Sequence, residues 1–311
     1  MTTKLSIFHH NIAYVVPTKD RPEDLRVLFE SLQLQTVLPN QIIIVDGSSP
    51  DIKYVCDEYP DLPITYDRCF PPSLAKQRNA GMARLHNNIT IAGYLDDDIE
   101  LDPDATEKML AFWSDVPENT GGAAISIRDQ HNQINSKLMS IFLMAGKTPG
   151  KMLSSAHAVH IPFIGRTFET QWLYGGATIW SREVINTFNY DEWFDGYGFL
   201  EDVDYSYRVS QKHRLYVVGD SRCLHHSAGL SDKKQYVFGK QQVFNRLYFA
   251  RKMRTFSPLA VYWAIFGNIL MNGAALIKNH DRSTLDRLFG NFVGLWAHLK
   301  GRKQSIGGFW K

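Results

Sequence analysis

Cysteine is scarce in this 311-residue chain: Cys56, Cys69 and Cys223 are odd in number and form no CxxC pair. That excludes a structural zinc site and a disulfide framework and fits a reducing cytoplasm. The first twenty residues, MTTKLSIFHHNIAYVVPTKD, have only short apolar runs broken by His9, His10 and Asn11. They lack the apolar core and small-residue cleavage site of a signal peptide, so export by that route is not expected. No GxGxxG follows Val16, which argues against a dinucleotide-dependent oxidoreductase. No glycine-rich basic triphosphate loop stands there either, which argues against a nucleotidyltransferase that makes sugar nucleotides. Internal repeats and low-complexity segments are also missing.

What is present is the composition of a folding chain, 44% hydrophobic, 13% aromatic and 21% charged. The length suits one large α/β domain or a domain with an appendage. Acidic residues are nearly absent from the last quarter. Residues 1–232 carry 20 Lys and Arg against 30 Asp and Glu, net −10, whereas residues 233–311 carry 14 against 2, net +12. A boundary at 232/233 is therefore expected, with a catalytic part before it and a basic extension after it.

Strand and helix signals alternate through the first part. Ile12–Val16, Gln41–Val45, Ile64–Tyr66 and Thr90–Leu95 read as strands, with helices over Glu23–Gln33, Asp51–Glu58 and Ser73–His86. Such βαβ spacing predicts a mostly parallel sheet whose ligands bind beyond the carboxyl ends of the strands. Pro17-Thr18, Asp46-Gly47 and Asp96-Asp97-Asp98 all follow predicted strands. Further strands are expected at Gly121–Ile127, Gly175–Trp180 and Leu215–Val218, with a helix at Glu201–Ser210 and a loop-rich insertion over Arg128–Thr170.

Three adjacent carboxylates at a strand end repel strongly, and hard oxygen donors suit Mg2+ or Mn2+. Read blandly, the same triplet is a solvated turn before a helix near Pro103. Glu201-Asp202-Val203-Asp204 opens a helix, where the macrodipole favours acids. The aromatic setting of Trp193, Phe194, Tyr197 and Phe199 adds desolvation, which raises the proton affinity of a carboxylate and suits a general base. His225 and His226 follow a strand and could complete a metal shell or be surface histidines. Gly175-Gly176 would let the backbone come close to donor or acceptor, or form a plain tight turn, and Arg208 could support the acidic cluster or be a surface arginine.

The ordered segments VVPT, IIIVDGSSPD, AKQRNAGM, YLDDD, WLYGGA, GFLEDVDYSYR and LHH, spanning roughly residues 12–229, resemble glycosyltransferase family 2. The resemblance implies a GT-A fold: a Rossmann-like, mixed and mostly parallel sheet flanked by helices, here with a C-terminal helical extension. It implies transfer of a sugar from a nucleotide-diphosphate donor, with inversion, to a saccharide or lipid-linked acceptor in cell-surface polysaccharide synthesis. By that likeness Thr18 and Asp46 contact base and ribose, Arg78 approaches the nucleotide, Asp96 and Asp98 form the DXD pair, and Asp202 is the catalytic base. Pro17, Asp97, Gly176 and Glu201 join the expected donor site, Glu201 also being the rival base. The metal shell is expected from Asp98, Asp96 and His225, the last favoured over His226 because it is nearer the strand end. Donor base (UDP, dTDP or GDP) and oligomeric state are not written in these motifs.

In the extension, Pro258–Ile277 is nearly long enough to span a bilayer, but Asn268 and Asn272 share one face of it. Leu285, Leu288, Phe289, Phe292, Trp296 and Leu299 line one face of a helix over Ser283–Lys300. With the basic excess, this pattern predicts peripheral attachment to the anionic inner face of the cell membrane rather than nucleic-acid binding. The alternative is a helical subdomain packed on the sheet.

Overall fold

The computed structural model describes residues 9–130, 137–194, 198–226 and 231–301. Strands β1 (Ile12–Thr18), β2 (Gln41–Asp46), β3 (Ile64–Arg68), β4 (Ile91–Leu95), β5 (Ile99–Leu101), β6 (Thr120–Ile127), β7 (Phe168–Thr170), β8 (Ala177–Ser181) and β9 (Arg214–His225) form one mixed sheet. Its order is β3-β2-β1-β4-β8-β6-β9-β5, with β7 against β9. The first four strands pair in parallel. Every residue of β1, β2 and β4 is buried, which is why they read as unbroken apolar runs rather than alternating ones.

Helices α1 (Pro22–Gln33), α2 (Lys53–Asp57) and α3 (Leu74–Met82) make the crossovers. In α1, Leu25, Leu28, Phe29 and Leu32 recur at helical spacing and are buried, with Pro22 at the helix start where its missing N–H costs nothing. The parallel register places Thr18 beside Asp46 at one end of the sheet, and β4 delivers Asp96 to the same end. Beyond β4 the sheet changes sense: β8 runs antiparallel to β4, and β6 antiparallel to β8.

The expected strand at Leu215–Val218 is longer than its apolar core. β9 pairs with β6 along its first part and with the short β5 at its far end, which stretches it to His225. Helices α4 (Ala105–Ser114), α6 (Arg182–Thr187) and α7 (Glu201–Ser210) complete the layer around the sheet. The loop-rich segment at 128–170 contains α5 (Lys137–Ile141), β7 and an isolated bridge between Met152 and Ala158.

The extension consists of α8 (Gln235–Met253), α9 (Pro258–Asn279) and α10 (Arg282–Leu299). It packs on the sheet domain: Val243, Phe244, Leu247 and Phe249 of α8 and Val261 and Ile265 of α9 are buried. Helices α8 and α10 approach closely because Gly239, Gly290 and Gly294 abut backbone atoms of the partner helix. Asn291 is fully buried there and donates to the Gly239 carbonyl at 2.7 Å. The amphipathic helix expected near 283–300 is present, but the face it buries is Gly290, Asn291, Gly294 and Ala297, while Leu285, Phe289, Phe292, Trp296 and Leu299 point outward.

Candidate active site

The acidic triplet is split by the pairing of β5. Asp96 ends the run from β4, Asp98 precedes β5, and β5 pairs with β9 so that Ile99 stands opposite His225. This register brings His225 Nε2 to 3.1 Å from Asp98 Oδ1. One ligand atom from each of Asp96, Asp98 and His225 lies within 4.8 Å of the others. Two carboxylates and an imidazole at that separation fit a hard divalent cation such as Mg2+ or Mn2+. His226 is turned away, its Nε2 2.7 Å from Glu100 Oε2 on the exposed side.

Asp97 is held between β1 and the start of α1. Thr18 Oγ1 donates to Asp97 Oδ2 at 2.8 Å, and Arg21 Nη1 donates to Asp97 Oδ1 at 2.9 Å and to Asp98 Oδ2 at 3.0 Å. Burial pushes Asp97 up to about 7 against the pull of Arg21 and Thr18. Asp98 is also penalised by burial, but His225 and Arg21 outweigh that and hold it below the ordinary carboxylate range. The same hydrogen bond raises His225.

Arg78 lies at the centre, 1% exposed, with Nη1 donating to Glu201 Oε1 at 3.1 Å and Nη2 to Asp96 Oδ1 at 3.2 Å. Its guanidinium is 5.0 Å from the Tyr190 ring centroid and 5.6 Å from that of Tyr94. Gly175 and Gly176 pass directly over these groups. A Cβ on Gly175 would come within 2.6 Å of Arg78 Nη2, and one on Gly176 would collide with Asp96 Oδ2. The space a Cβ would need at the glycine pair is taken by Arg78 and Asp96 of the protein itself.

Asp202, partly exposed in the first turn of α7, accepts from Gly175 N at 3.1 Å and from Val203 N at 2.7 Å. Burial raises both Glu201 and Asp202, Glu201 further through its neighbour Asp202, while Arg78 opposes the shift in each. Glu201 is buried and ion-paired to Arg78, whereas Asp202 is held by backbone N–H groups alone and is partly exposed to the cavity.

The extension holds this helix in place. Lys252 of α8 reaches Asp191 at 2.7 Å and Asp204 at 2.7 Å, and Tyr248 Oη donates to Asp191 at 2.7 Å. Trp193 stacks on Tyr248 with ring centroids 3.6 Å apart, and Asn245 Nδ2 donates to the Phe199 carbonyl at 2.9 Å. Arg208 pairs with Asp204 at 2.9 Å, giving the support its sequence position suggested. Tyr197, expected in this aromatic setting, lies outside the described residues.

A cavity of about 930 Å3 opens over the site. Pro17, Thr18, Arg78, Asp96, Asp97, Asp98, Glu201, Asp202 and His225 all line it. Asp46 and Gly176 do not. The Asp46 carboxylate is fully buried and accepts from Ser48 N, Ile52 N and Tyr66 Oη, so it shapes the loop after β2. Sequence reading missed Arg21, a cation holding two members of the triplet, and Gln77, whose Nε2 bridges the carbonyls of Thr18 and Val45. Arg21 sits at the start of α1 just after β1, the one signal that could have marked it.

A parallel half-sheet with acidic groups at its carboxyl ends, a candidate metal triad and an acidic helix start face one cavity, the place where open α/β sheets bind ligands. The family described as "Glycosyl transferase family 2" matches residues 14–171, and the chain belongs to it. Among solved structures it resembles a mannosyltransferase, PcManGT from Pyrobaculum calidifontis, in complex with GDP-Man and Mn2+. That match has a TM-score of 0.57 and 12% identity over 93% of this chain and 88% of the other. S. aureus TarS 1-349 matches with a TM-score of 0.51 and 12% identity over 96% and 95%. The chain spans 39% of a longer S. aureus TarS structure. No curated protein matches the sequence.

Proposed function

We propose that the protein is an inverting, divalent-metal-dependent glycosyltransferase. It moves a sugar from a nucleotide-diphosphate sugar to a hydroxyl of a saccharide or lipid-linked acceptor in cell-surface polysaccharide synthesis. The observation that carries this reading is the convergence of the Asp96, Asp98 and His225 donors with the Asp202 carboxylate on one cavity. The GDP-Man and Mn2+ of the mannosyltransferase, and the UDP bound to TarS 1-349, support the donor and metal classes.

Asp96, Asp98 and His225 would hold Mg2+ or Mn2+, which supplies charge neutralisation to the diphosphate leaving group. Thr18, Asp97 and Arg21 form the wall on which the nucleotide is placed. Asp202 takes the proton of the acceptor hydroxyl while that oxygen bonds to the anomeric carbon; the bond to the diphosphate oxygen breaks on the opposite face and its electron pair leaves with the nucleotide. Arg78 neutralises Glu201 and Asp96, which leaves Asp202 as the carboxylate free to act.

Attachment to an anionic membrane surface is the second part of the proposal. Helix α9 has the length and composition to cross a bilayer. Its amides nevertheless serve the protein: Asn272 donates to Asn291 at 2.6 Å and Asn268 lines the cavity. One face of α9 is packed, with Trp263 Nε1 donating to the Ile141 carbonyl at 2.9 Å. The outward apolar rows of α9 and α10, with Leu299 70% and Phe289 60% exposed, together with the net charge of +12 over residues 233–311, fit shallow insertion at the inner face of the membrane.

The test is a screen of UDP-, GDP- and dTDP-sugars for nucleotide release with Mn2+, joined to calorimetry of the nucleoside diphosphates. Turnover with one base and its loss on removing the metal are expected. No binding of any nucleotide would overturn the reading.

A further inference from the structure

Arg246 of α8 is a buried cation without a counter-ion. It is 8% exposed and lines the cavity. Its Nη1 donates to the Ala156 carbonyl at 2.6 Å, and among the described residues no carboxylate pairs with it. Burial alone acts on it, pushing its pKa down to about 10. Arg78, also buried, is by contrast held by two carboxylates. A buried charge needs compensation, and a guanidinium has five donors, of which one finds a hydrogen-bond acceptor among the described residues.

The surroundings give the missing partner its place. His157, next to Ala156, is kept neutral by burial and by Arg246, and its ring lies 3.3 Å from Ser155 Oγ. Gln242 of α8 and Asn268 of α9 line the same cavity, so the polar groups on this wall are neutral or cationic. The wall is built by the extension and the segment before β7, separate from the turn that carries the metal triad. Trp172 Nε1 donates to the Val159 carbonyl at 2.9 Å, and three residues on, Gly175 N–H holds Asp202. The wall and Asp202, the proposed base, thus line one cavity.

We propose that Arg246 anchors an acceptor subsite for a phosphate group, so that the acceptor is a phosphate-bearing molecule rather than a neutral saccharide. The inference rests on the glycosyltransferase reading above. The planar fork of a guanidinium matches phosphate with two parallel hydrogen bonds. Ala156 already fixes one edge of the group, so little ordering remains when the anion arrives.

The probe is methyl phosphate, titrated into the full chain by calorimetry at constant ionic strength, with methyl glucoside as the uncharged control. Without metal or nucleotide, the wild type is expected to bind methyl phosphate saturably and methyl glucoside not at all. Arg246→Met should weaken the phosphate at least about 10-fold, the scale of a lost charge-assisted hydrogen bond. Arg246→Lys, which keeps the charge, should retain most of the affinity. Absence of saturable methyl phosphate binding to the wild type, or equal affinity in the Met variant, overturns the site. Should the Met variant fail to unfold cooperatively, the wild-type and Lys titrations decide. In a second arm, saturating UDP or GDP with Mn2+ should leave methyl phosphate affinity unchanged; competition would assign the anion site to the donor and overturn the acceptor role. If neither nucleotide binds, the glycosyltransferase reading and the acceptor assignment fall together, while the first arm still reads Arg246.

Discussion

Arg78 and Glu201, 123 positions apart in sequence, meet in the interior with Nη1 donating to Oε1 at 3.1 Å. Removing the cation leaves Glu201 and Asp96 facing each other without compensation. Arg78→Met should therefore lower unfolding free energy by about 3–5 kcal/mol, the cost of breaking a buried pair from one side. Urea denaturation measures it, and a loss below about 1 kcal/mol would show that the carboxylates simply take up protons.

Gly176 lies over Asp96 with no room for a methyl group. Gly176→Ala should displace Asp96 and reduce transfer at least about 10-fold, because small misplacements of reacting groups are costly. Far-ultraviolet circular dichroism should stay that of the wild type, since Gly176 stands just before β8. Full activity in this variant would mean that Asp96 does not need its observed position.

The base proposed here, Asp202, would have a pH signature. Burial raises Asp202, and only the ionised form accepts a proton, so kcat/KM should fall as pH drops through that raised value, above the ordinary aspartate range. Asp202→Asn should lower transfer by at least about 100-fold. The stability sign is opposite. A carboxylate whose folded pKa is raised stabilises the fold only when protonated, and that contribution disappears as pH rises. At neutral pH Asp202→Asn should accordingly be at least as stable as the wild type, as thermal unfolding would report. An inactive Glu201→Gln beside an active Asp202→Asn would reassign the base.

The two histidines separate cleanly. His225→Ala should weaken Mn2+ binding at least about 10-fold in calorimetry, whereas His226→Ala, which removes only the contact with Glu100, should leave it unchanged. Equal effects would remove His225 from the metal group.

The outward row of α10 provides the membrane test. Phe289→Ser with Phe292→Ser should abolish sedimentation with anionic vesicles and leave the melting temperature almost unchanged, because both rings are already exposed. High salt or alkaline carbonate should strip the wild type from membranes. Retention until detergent is added would instead make α9 a spanning helix.

Much of this architecture is legible in the sequence because its signals are local. The runs IAYVVPT, QIIIVD and IAGYL are strands for the same reason they are apolar, burial on both faces, and the acids of α7 mark a helix start. Other features depend on contacts with no local signal. Asp46 carries the same motif position in either case, yet its carboxylate turns inward to Ser48, Ile52 and Tyr66 instead of toward the cavity. The periodicity of α10 reveals two faces without saying which is buried. Three glycines and Asn291 win that contest because they allow the backbones of α8 and α10 to approach, which bulky apolar residues would prevent.

By itself the sequence determined the alternation of strands and helices, the chemistry of the DDD and EDVD segments and the charge contrast between the two parts of the chain. Only the tertiary structure decided which acids are brought together with a histidine. The pairing of Ile99 with His225 brings one histidine to Asp98, a fold-back through α3 and α7 places Arg78 against Glu201, and α8 presents Arg246 to the cavity. The reason is physical: propensity and hydrophobic pattern act over a few residues, whereas electrostatic partnership is a matter of distance in space between groups that the chain keeps far apart.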